Sequence, residues 1–561
     1  VKGRVLVVGS DEVAKPVKLR YLHSKPWFGC LYNEVCLPLG AFHVDAPNPR
    51  DAAWDYVAER LYSPVTHLLY EYRTGGTNGV VGLQPTVEEI ARNYPNGAGW
   101  HTGMDDGPQL NGPMLLAALG RWERTHEASV AEFAHDLFRG LRLCAEVSEV
   151  PGFLARSVSP RDGKSHYVQS SRDQYTYFVY ALWRYWQSPL ATPEERDDVR
   201  RMLVDVARYA ERVVTPENRY SFLREDGEPA LYQEMWTDDL KPTRNEKAGI
   251  DVFGGLCAHE AMRLPMIYAA AWAVSGDAHW RELEVRYVDA GLHMTQGLLP
   301  KGLHGFALVQ MQLSHRLLWE VEPDAARKSR IAATFARVPA LAANLHESVC
   351  RNFKDLGGDF SARIGDWRKY PMRTPGDGPA DGVIGGIRYL TPQWPERFGK
   401  AVWCLREAGE VVSAMKLCPD GTVPAAYRET LERCFASVDY GNHFTSGPVH
   451  LLMAQWLPEG TAGRTNLVFG VVSDIHVSAE GGDLGWAGDA SFFERTLRWF
   501  REQDVDAIVI PGDLANFGLV EELEAVAAAW YRVFPDDTGR DGRHVEKLFV
   551  MGNHDAAGFK Y

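Results

Sequence analysis

The chain has 561 residues, of which 45% are hydrophobic and 24% charged, and its formal net charge is −14. That length predicts more than one domain, and that composition predicts a soluble globular protein. The acidic balance excludes a basic nucleic-acid footprint, and the longest apolar run, Leu264 to Val274, is too short to span a bilayer.

Residues 1–111 read as an irregular, β-containing segment packing on the helical region C-terminal to it. Val5-Leu-Val-Val8 predicts a strand, and Cys30 to Val44 another β segment. Ala52 to Leu69 predicts a helix broken at Ser63-Pro64. The loop Gly97 to Asn111, GAGWHTGMDDGPQLN, gathers polar and aromatic groups. Cys30 and Cys36 are close enough in sequence to pair. The other cysteines read as core residues, and none sits in a C-x-x-C, so the compartment, cytoplasmic or exported, stays open. The first residue is valine, and the chain is expected to be a fragment open at both ends.

From residue 112 to 457 the pattern is almost purely helical. The expected helices are Leu115 to His126, Val130 to Val147, Asp173 to Trp186, one opened by Thr192-Pro-Glu-Glu195, Leu256 to Val274, His279 to Leu298, Phe306 to Trp319, Asp324 to Val349, Ala401 to Lys416, Ala425 to Val438 and His450 to Trp456. Thr192-Pro-Glu-Glu195 has an N-cap threonine, a proline at the first helical position and a glutamate at the third. Short turns between these helices imply antiparallel pairs. A bundle would be shorter, and a solenoid would show a sequence period. The remaining architecture is a closed (α/α)6-type toroid. In this pattern and in its aromatic, polar loops, the segment resembles the toroid glycoside hydrolases and polysaccharide lyases.

That resemblance implies a ligand at the mouth of the ring, on loops at one end. The candidate residues there are Asp105, Asp106, Arg156, His166, Tyr167, Asp173 and Glu234. Trp100, His101, Trp236, Asp238, Asp239, His259, Glu260 and His304 lie on the same set of loops. Aromatic faces suit sugar rings, and a carboxyl pair suits glycosidic cleavage. A Tyr or His base with Arg156 beside a uronate would instead suit β-elimination. The toroid is thus expected to act on, or simply bind, an oligosaccharide or polysaccharide. Each residue also has a plainer explanation. Asp173 can cap a helix, Asp105 and Asp106 can form a turn, and His259 and Glu260 can line a helix core.

Residues 458–465, opening PEGTAGR, form a predicted linker. The domain from 466 to 561 comes next. Three short β-branched runs, LVFGVVSDIH, IVIPGDLAN and LFVMGNHD, each end in polar residues. Two amphipathic segments separate them. Ser491-Phe-Phe-Glu494 predicts a capping box before a helix burying Phe493, Leu497 and Phe500. A second helix, about residues 520–534, places Val526, Trp530 and Val533 on one stripe. The order is β-α-β-α-β, half of an α/β domain. In a parallel sheet all three strand C-termini emerge at one edge, where such sheets bind ligands. Asp474, His476, Asp513, Asn516, Asn553, His554 and Asp555 therefore converge. These residue types suit two divalent ions, with Asp513 as a bridge and Gly512 and Gly552 permitting tight turns. Two such ions can clamp a phosphoryl group and generate a metal-bound hydroxide.

The ordered signature D-x-H, G-D, G-N-H-D resembles the calcineurin-like metallophosphoesterases. The resemblance implies a phosphoester substrate and two divalent ions (Mn, Fe or Zn). Asp474, His476, Asp513 and Asn553 would then bind metal. It also implies that His554 contacts the phosphate or protonates the leaving group, and that Asp555 orients His554. The family's further downstream histidines would be expected beyond Tyr561. Weak metal binding and little activity are therefore expected of this fragment.

Overall fold

The computed structural model describes residues 18–21, 42–45, 48–73, 83–245, 250–296, 303–375, 381–419, 421–458, 468–478, 490–503, 505–537, 539 and 545–556. The expected Val5–Val8 strand, the Cys30–Cys36 pair and nearly all of the predicted linker lie outside the described residues. The chain divides into two compact units, Val1–Ala462 and Gly463–Tyr561.

In the first unit, α1 (Pro49–Tyr56) and α2 (Val87–Ala91) precede a long helical series. It runs α3 (Gly107–Thr125), α4 (Ala128–Glu146), α5 (Arg172–Gln187), α6 (Pro193–Val213), α7 (Arg263–Ser275), α8 (Ala278–Thr295) and α9 (Gly305–Val321). It continues with α10 (Ala325–Phe335), α11 (Val338–Leu356), α12 (Glu396–Lys416), α13 (Ala425–Ser437) and α14 (Gly447–Trp456). Two kinds of helix alternate. Stretches of α3, α5, α7, α9, α12 and α14 are buried all round, such as Gln174 to Trp183 in α5 and Ala307 to Leu318 in α9. A helix buried on every side must sit inside. In contrast, α4 and α6 bury one stripe each, Val130, Phe133, Leu137 and Leu141 in one and Val199, Leu203, Val206 and Ala210 in the other.

The six inner helices pack in sequence order, and α14 returns to α3, so the ring closes. The outer helices pack against them, α4 on α3, α6 on α5 and α7, α8 on α7, α11 on α9 and α12, and α13 on α12 and α14. This is the expected toroid. The Thr192 capping box is also present: Thr192 Oγ1 accepts from Glu195 N, and Glu195 Oε2 accepts from Thr192 N.

Several sequence expectations change. The Gly97–Asn111 loop ends early, because α3 already starts at Gly107 with Pro108 in its first turn, where a missing N–H costs nothing. The single helix expected from Asp324 to Val349 is two, α10 and α11, separated at Ala336 and Arg337 just before Pro339. His259 and Glu260 are not inside a helix but in a 3₁₀ turn, Ala258–Glu260, ahead of α7. Among the cysteines, Cys350 is exposed rather than core.

The second unit is β-α-β-α-β. Strands Phe469–Val471 and Glu546–Phe549 flank Ala507–Ile510, both in parallel register. Helices α15 (Ala490–Glu502) and α16 (Val520–Val533) pack together and against one sheet face. They bury Phe493, Leu497, Phe500, Val526, Trp530 and Val533, as their spacing predicts. Ser491 lies within α15 rather than at its cap. At the start of α16, Glu522 Oε2 accepts from Phe517 N and Leu519 N at 2.8 and 3.2 Å. Phe469, Val471 and Leu548, which alternate with the helix-facing positions, remain exposed on the other face.

Two glycines of α12 test the closeness of ring packing. A Cβ at Gly409 would collide with the His450 carbonyl of α14, whereas one at Gly399 meets nothing. Gly409→Ala should therefore cost about 1–3 kcal/mol, and Gly399→Ala should stabilise by up to about 1 kcal/mol. Thermal and denaturant melts of the two variants check both signs.

Candidate functional site

The strand ends of the second unit carry the candidate metal centre. After Phe469–Val471 the chain continues through Asp474 and His476. It stays tied to the segment after the next strand by His476 N to Asp513 O at 3.0 Å and Val477 N to Leu514 O at 2.8 Å. Asp474, His476 and Asp513 all have left-handed backbones, with φ of 55°, 48° and 57°. Such conformations cost about 1–3 kcal/mol for a non-glycine residue, and they persist where the surroundings over-determine them. Here the cross-links between strand ends do so.

Gly512 and Gly552 let two of the turns touch. A Cβ on Gly512 would sit 3.0 Å from Gly552 Cα, and one on Gly552 would run into the Asp513 carboxylate. As a result, His554 N donates to Asp513 Oδ1 at 2.9 Å. The ring of His554 lies edge-on to that of His476, centroids 4.4 Å apart. Ligand-type atoms of His476, Asp513 and His554 all fall within 4.8 Å of one another. Two imidazoles and a carboxylate form a donor set for a borderline divalent ion.

The Asn516 carbonyl lies 2.8 Å from His554 Nδ1. A carbonyl only accepts, so Nδ1 carries a hydrogen. The side chain of Asn516 is 1% exposed, and neither its oxygen nor its nitrogen has a hydrogen-bond partner among the described residues. A buried amide left so costs about 1–3 kcal/mol. An orphaned amide beside the donor set fits a site that receives a ligand.

The other expected site residues take distinct places. Asp474 is exposed, accepts a hydrogen bond from the Ser473 hydroxyl and lies outside the close donor group. Asn553 is exposed at the same strand edge. Asp555 is 3% exposed and accepts from Ala515 N at 2.7 Å and Gly552 N at 2.9 Å. It thus pins the two motif turns together, while the Asn516 carbonyl sets the His554 ring.

In the first unit a cavity of about 690 Å³ opens among the loops of the ring. Asp105, Asp106, Arg156 and Asp173 line it, as do Trp100, His101, His259 and Glu260. His166, Tyr167 and Glu234 do not. His166 pairs with Glu225 at 3.0 Å, Tyr167 is buried and donates to the Tyr94 carbonyl at 2.8 Å, and Glu234 lies 3.7 Å from Arg172. The other expected loop residues also fall outside the lining: Trp236, Asp238, Asp239 and His304. Asp173 is not the helix cap, which falls at Ser171. It faces Arg263 at 3.2 Å. Burial alone would raise its pKa, but the guanidinium of Arg263, with those of Arg172, Arg156 and Arg406, holds it below the usual carboxylate range.

Asp106 is tightly held. Arg156 donates to it at 2.9 Å and Gln174 at 2.8 Å, and Gln109 links it to Arg406. Arg172 pairs with Glu260 at 2.7 Å. His259 is pushed down to about 3 by burial and by Arg263 and Arg172, so its imidazole is neutral. The cavity also contains Glu71, Trp394, Trp403 and Arg406, which sequence reasoning missed. Glu71 comes directly after the apolar run LLY, and Trp403 and Arg406 occupy a helix. Nothing in their local sequence marks a site.

Residues 467–561 match the family described as calcineurin-like phosphoesterase. No curated protein matches the chain. Among solved structures, a sugar epimerase from a ruminal bacterium is 11% identical, with a TM-score of 0.36, covering 72% of this chain and 97% of its own. Cellobiose 2-epimerase from Bacillus thermoamylovorans is 12% identical, with a TM-score of 0.33 and coverages of 69% and 86%. An inactive variant of an α-1,6-mannanase from Salegentibacter is 9% identical, with a TM-score of 0.27 and coverages of 53% and 87%.

Removing the Asp555 carboxylate frees the backbone groups that join the two motif turns. Asp555→Ala should weaken Mn²⁺ or Zn²⁺ binding about 10–100-fold, the usual loss when support behind a metal site is removed. Calorimetric titration of the purified chain measures it, and unchanged affinity would show that the turns hold without Asp555.

Proposed function

We propose that the second unit is a metal-dependent phosphoester hydrolase. The single observation that carries this reading is the gathering of His476, Asp513 and His554 donor atoms within 4.8 Å at one sheet edge, in a segment matching the phosphoesterase family. His476 and Asp513 would hold a divalent ion of the Mn, Fe or Zn class. Asp474 and Asn553, at the same edge, would complete a two-ion site with Asp513 as bridge. Ions held there supply charge to neutralise phosphoryl oxygens and acidify a water.

The chain's own residues do the rest. Asp555 and the paired glycines position the turns. The Asn516 carbonyl fixes the His554 tautomer, leaving Nε2 toward the ion or the phosphate. His476→Ala and Asp513→Asn should each lower Mn²⁺ affinity at least tenfold, and should abolish metal-stimulated hydrolysis of p-nitrophenyl phosphate or its bis ester. Metal binding by calorimetry is read separately from turnover. Wild-type protein that takes up no Mn²⁺, Fe²⁺ or Zn²⁺ would refute the proposal.

The toroid cavity supports a second, carbohydrate-related function. Trp100, Tyr232, Trp394 and Trp403 are partly exposed around it, interleaved with carboxylates and arginines. Flat aromatic faces beside polar side chains grip sugar rings. Oligosaccharides should quench tryptophan fluorescence, and Trp403→Ala should weaken that binding about tenfold. No quenching by α- or β-linked gluco-, manno- or galacto-oligosaccharides would dismiss this reading.

A further inference from the structure

The floor of the toroid cavity holds two carboxyl groups that the surrounding hydrogen bonds leave incomplete. Asp105 is 4% exposed; its Oδ2 accepts from His101 N at 3.0 Å, but its Oδ1 is buried with no partner among the described residues. Glu71 Oε2 is likewise buried and unpartnered among them. Glu71, Asp105 and Asp106 line the same cavity, and the Glu71 carboxyl interacts with both aspartates.

Asp106 has Arg156, Gln174 and, through Gln109, Arg406. Asp173 has Arg263, and Glu260 has Arg172. Arg156, Arg172 and Arg263 each form their ion pair with another acid, and among the described residues no ion pair joins Glu71 or Asp105 to a cation, although Arg156 acts on Asp105 from farther off. Two interacting buried carboxylates cannot both ionise cheaply, and one proton held by the pair relieves their repulsion. Burial first, and the neighbouring carboxylates second, raise the Glu71 pKa well above its ordinary value and raise that of Asp105. Across the same cavity Asp173 stays ionised.

We propose that this cavity is a second active site, which hydrolyses a glycosidic bond with the proton-sharing Glu71–Asp105 pair as general acid and the Asp173 carboxylate as general base. The proposal rests on the carbohydrate reading of the cavity and assigns it a reaction. The bond from the anomeric carbon to the leaving oxygen breaks, and its electron pair goes to that oxygen, which takes the proton of the carboxyl pair. Water forms the new bond to the anomeric carbon and gives its proton to Asp173. Exchange with solvent returns one proton from Asp173 and restores the one lost by the pair, so the net change is addition of water. The acid form of the pair persists to higher pH than a free carboxyl, so activity should fall as pH rises through its raised value. Asp173 keeps its charge to lower pH than a free aspartate, which extends the acidic side.

The test uses the whole chain with α- and β-linked gluco-, manno- and galacto-tetraoses, reading new reducing ends. The 2,4-dinitrophenyl glycoside of whichever sugar is cleaved is assayed beside it. Its leaving group needs no proton. Glu71→Gln should lower kcat/KM on the tetraose about 10²-fold or more, the usual worth of a general acid, yet by less than about tenfold on the activated glycoside. It should also remove the alkaline limb of the pH profile. Asp105→Asn is read in the same way should Glu71→Gln fail to fold. Asp173→Asn should depress both substrates. Equal losses on the two substrates in the Glu71 and Asp105 variants would overturn the assignment. An unsaturated product in place of a new reducing end would overturn hydrolysis. Tetraoses that quench tryptophan fluorescence but are never cleaved would overturn catalysis and leave the binding reading standing; absence of both would end both.

Discussion

Close approach of helix backbones in the inner ring is the constraint on which the first unit depends. Inner helices buried on every face can only be satisfied by neighbours on both sides. Small residues set how near those neighbours come. Gly120 of α3 meets the Trp456 carbonyl of α14, and Gly409 of α12 meets that of His450, so both joints of α14 are backbone against backbone. With the ring drawn that tightly, side chains fill its interior and the loops at one end are left to form a cavity. The catalytic possibilities of that cavity therefore stem from packing as much as from its polar residues.

Within the cavity, electrostatics sorts carboxylates by whether an arginine reaches them. Arg156, Arg172 and Arg263 are each within 3.2 Å of an acid, and these acids are Asp106, Glu260 and Asp173. Of these, Asp173 is held below the usual carboxylate range by its guanidinium neighbours, whereas Glu71 and Asp105, buried beside other carboxylates, are raised above it. In the proposed reaction, groups of one chemical type would thereby take opposite tasks.

The second unit solves a different problem. The segments after two of its three strands have backbones strained at Asp474, His476 and Asp513. The strain is held by cross-links between strand ends, by the contact of Gly512 with Gly552 and by the Asp555 carboxylate spanning two turns. Rigid supports of this kind keep His476, Asp513 and His554 close together.

The succession of paired helices, the Thr192 cap, the β-α-β-α-β order and the buried stripes of α15 and α16 were all legible in the residues alone, because each depends on positions within one or two turns of one another. The three motifs could be placed at strand ends in the same way, since a β-branched run halted by glycine and aspartate is a local signal. It took the folded chain to establish that α14 closes on α3, that His166, Tyr167 and Glu234 lie away from the cavity, and that Glu71 lies in it. The fold likewise set the Asn516 carbonyl, rather than Asp555, against the His554 ring. These facts join residues far apart in the chain, and no periodicity or motif records a contact whose two partners are brought together only when the ring and the sheet close.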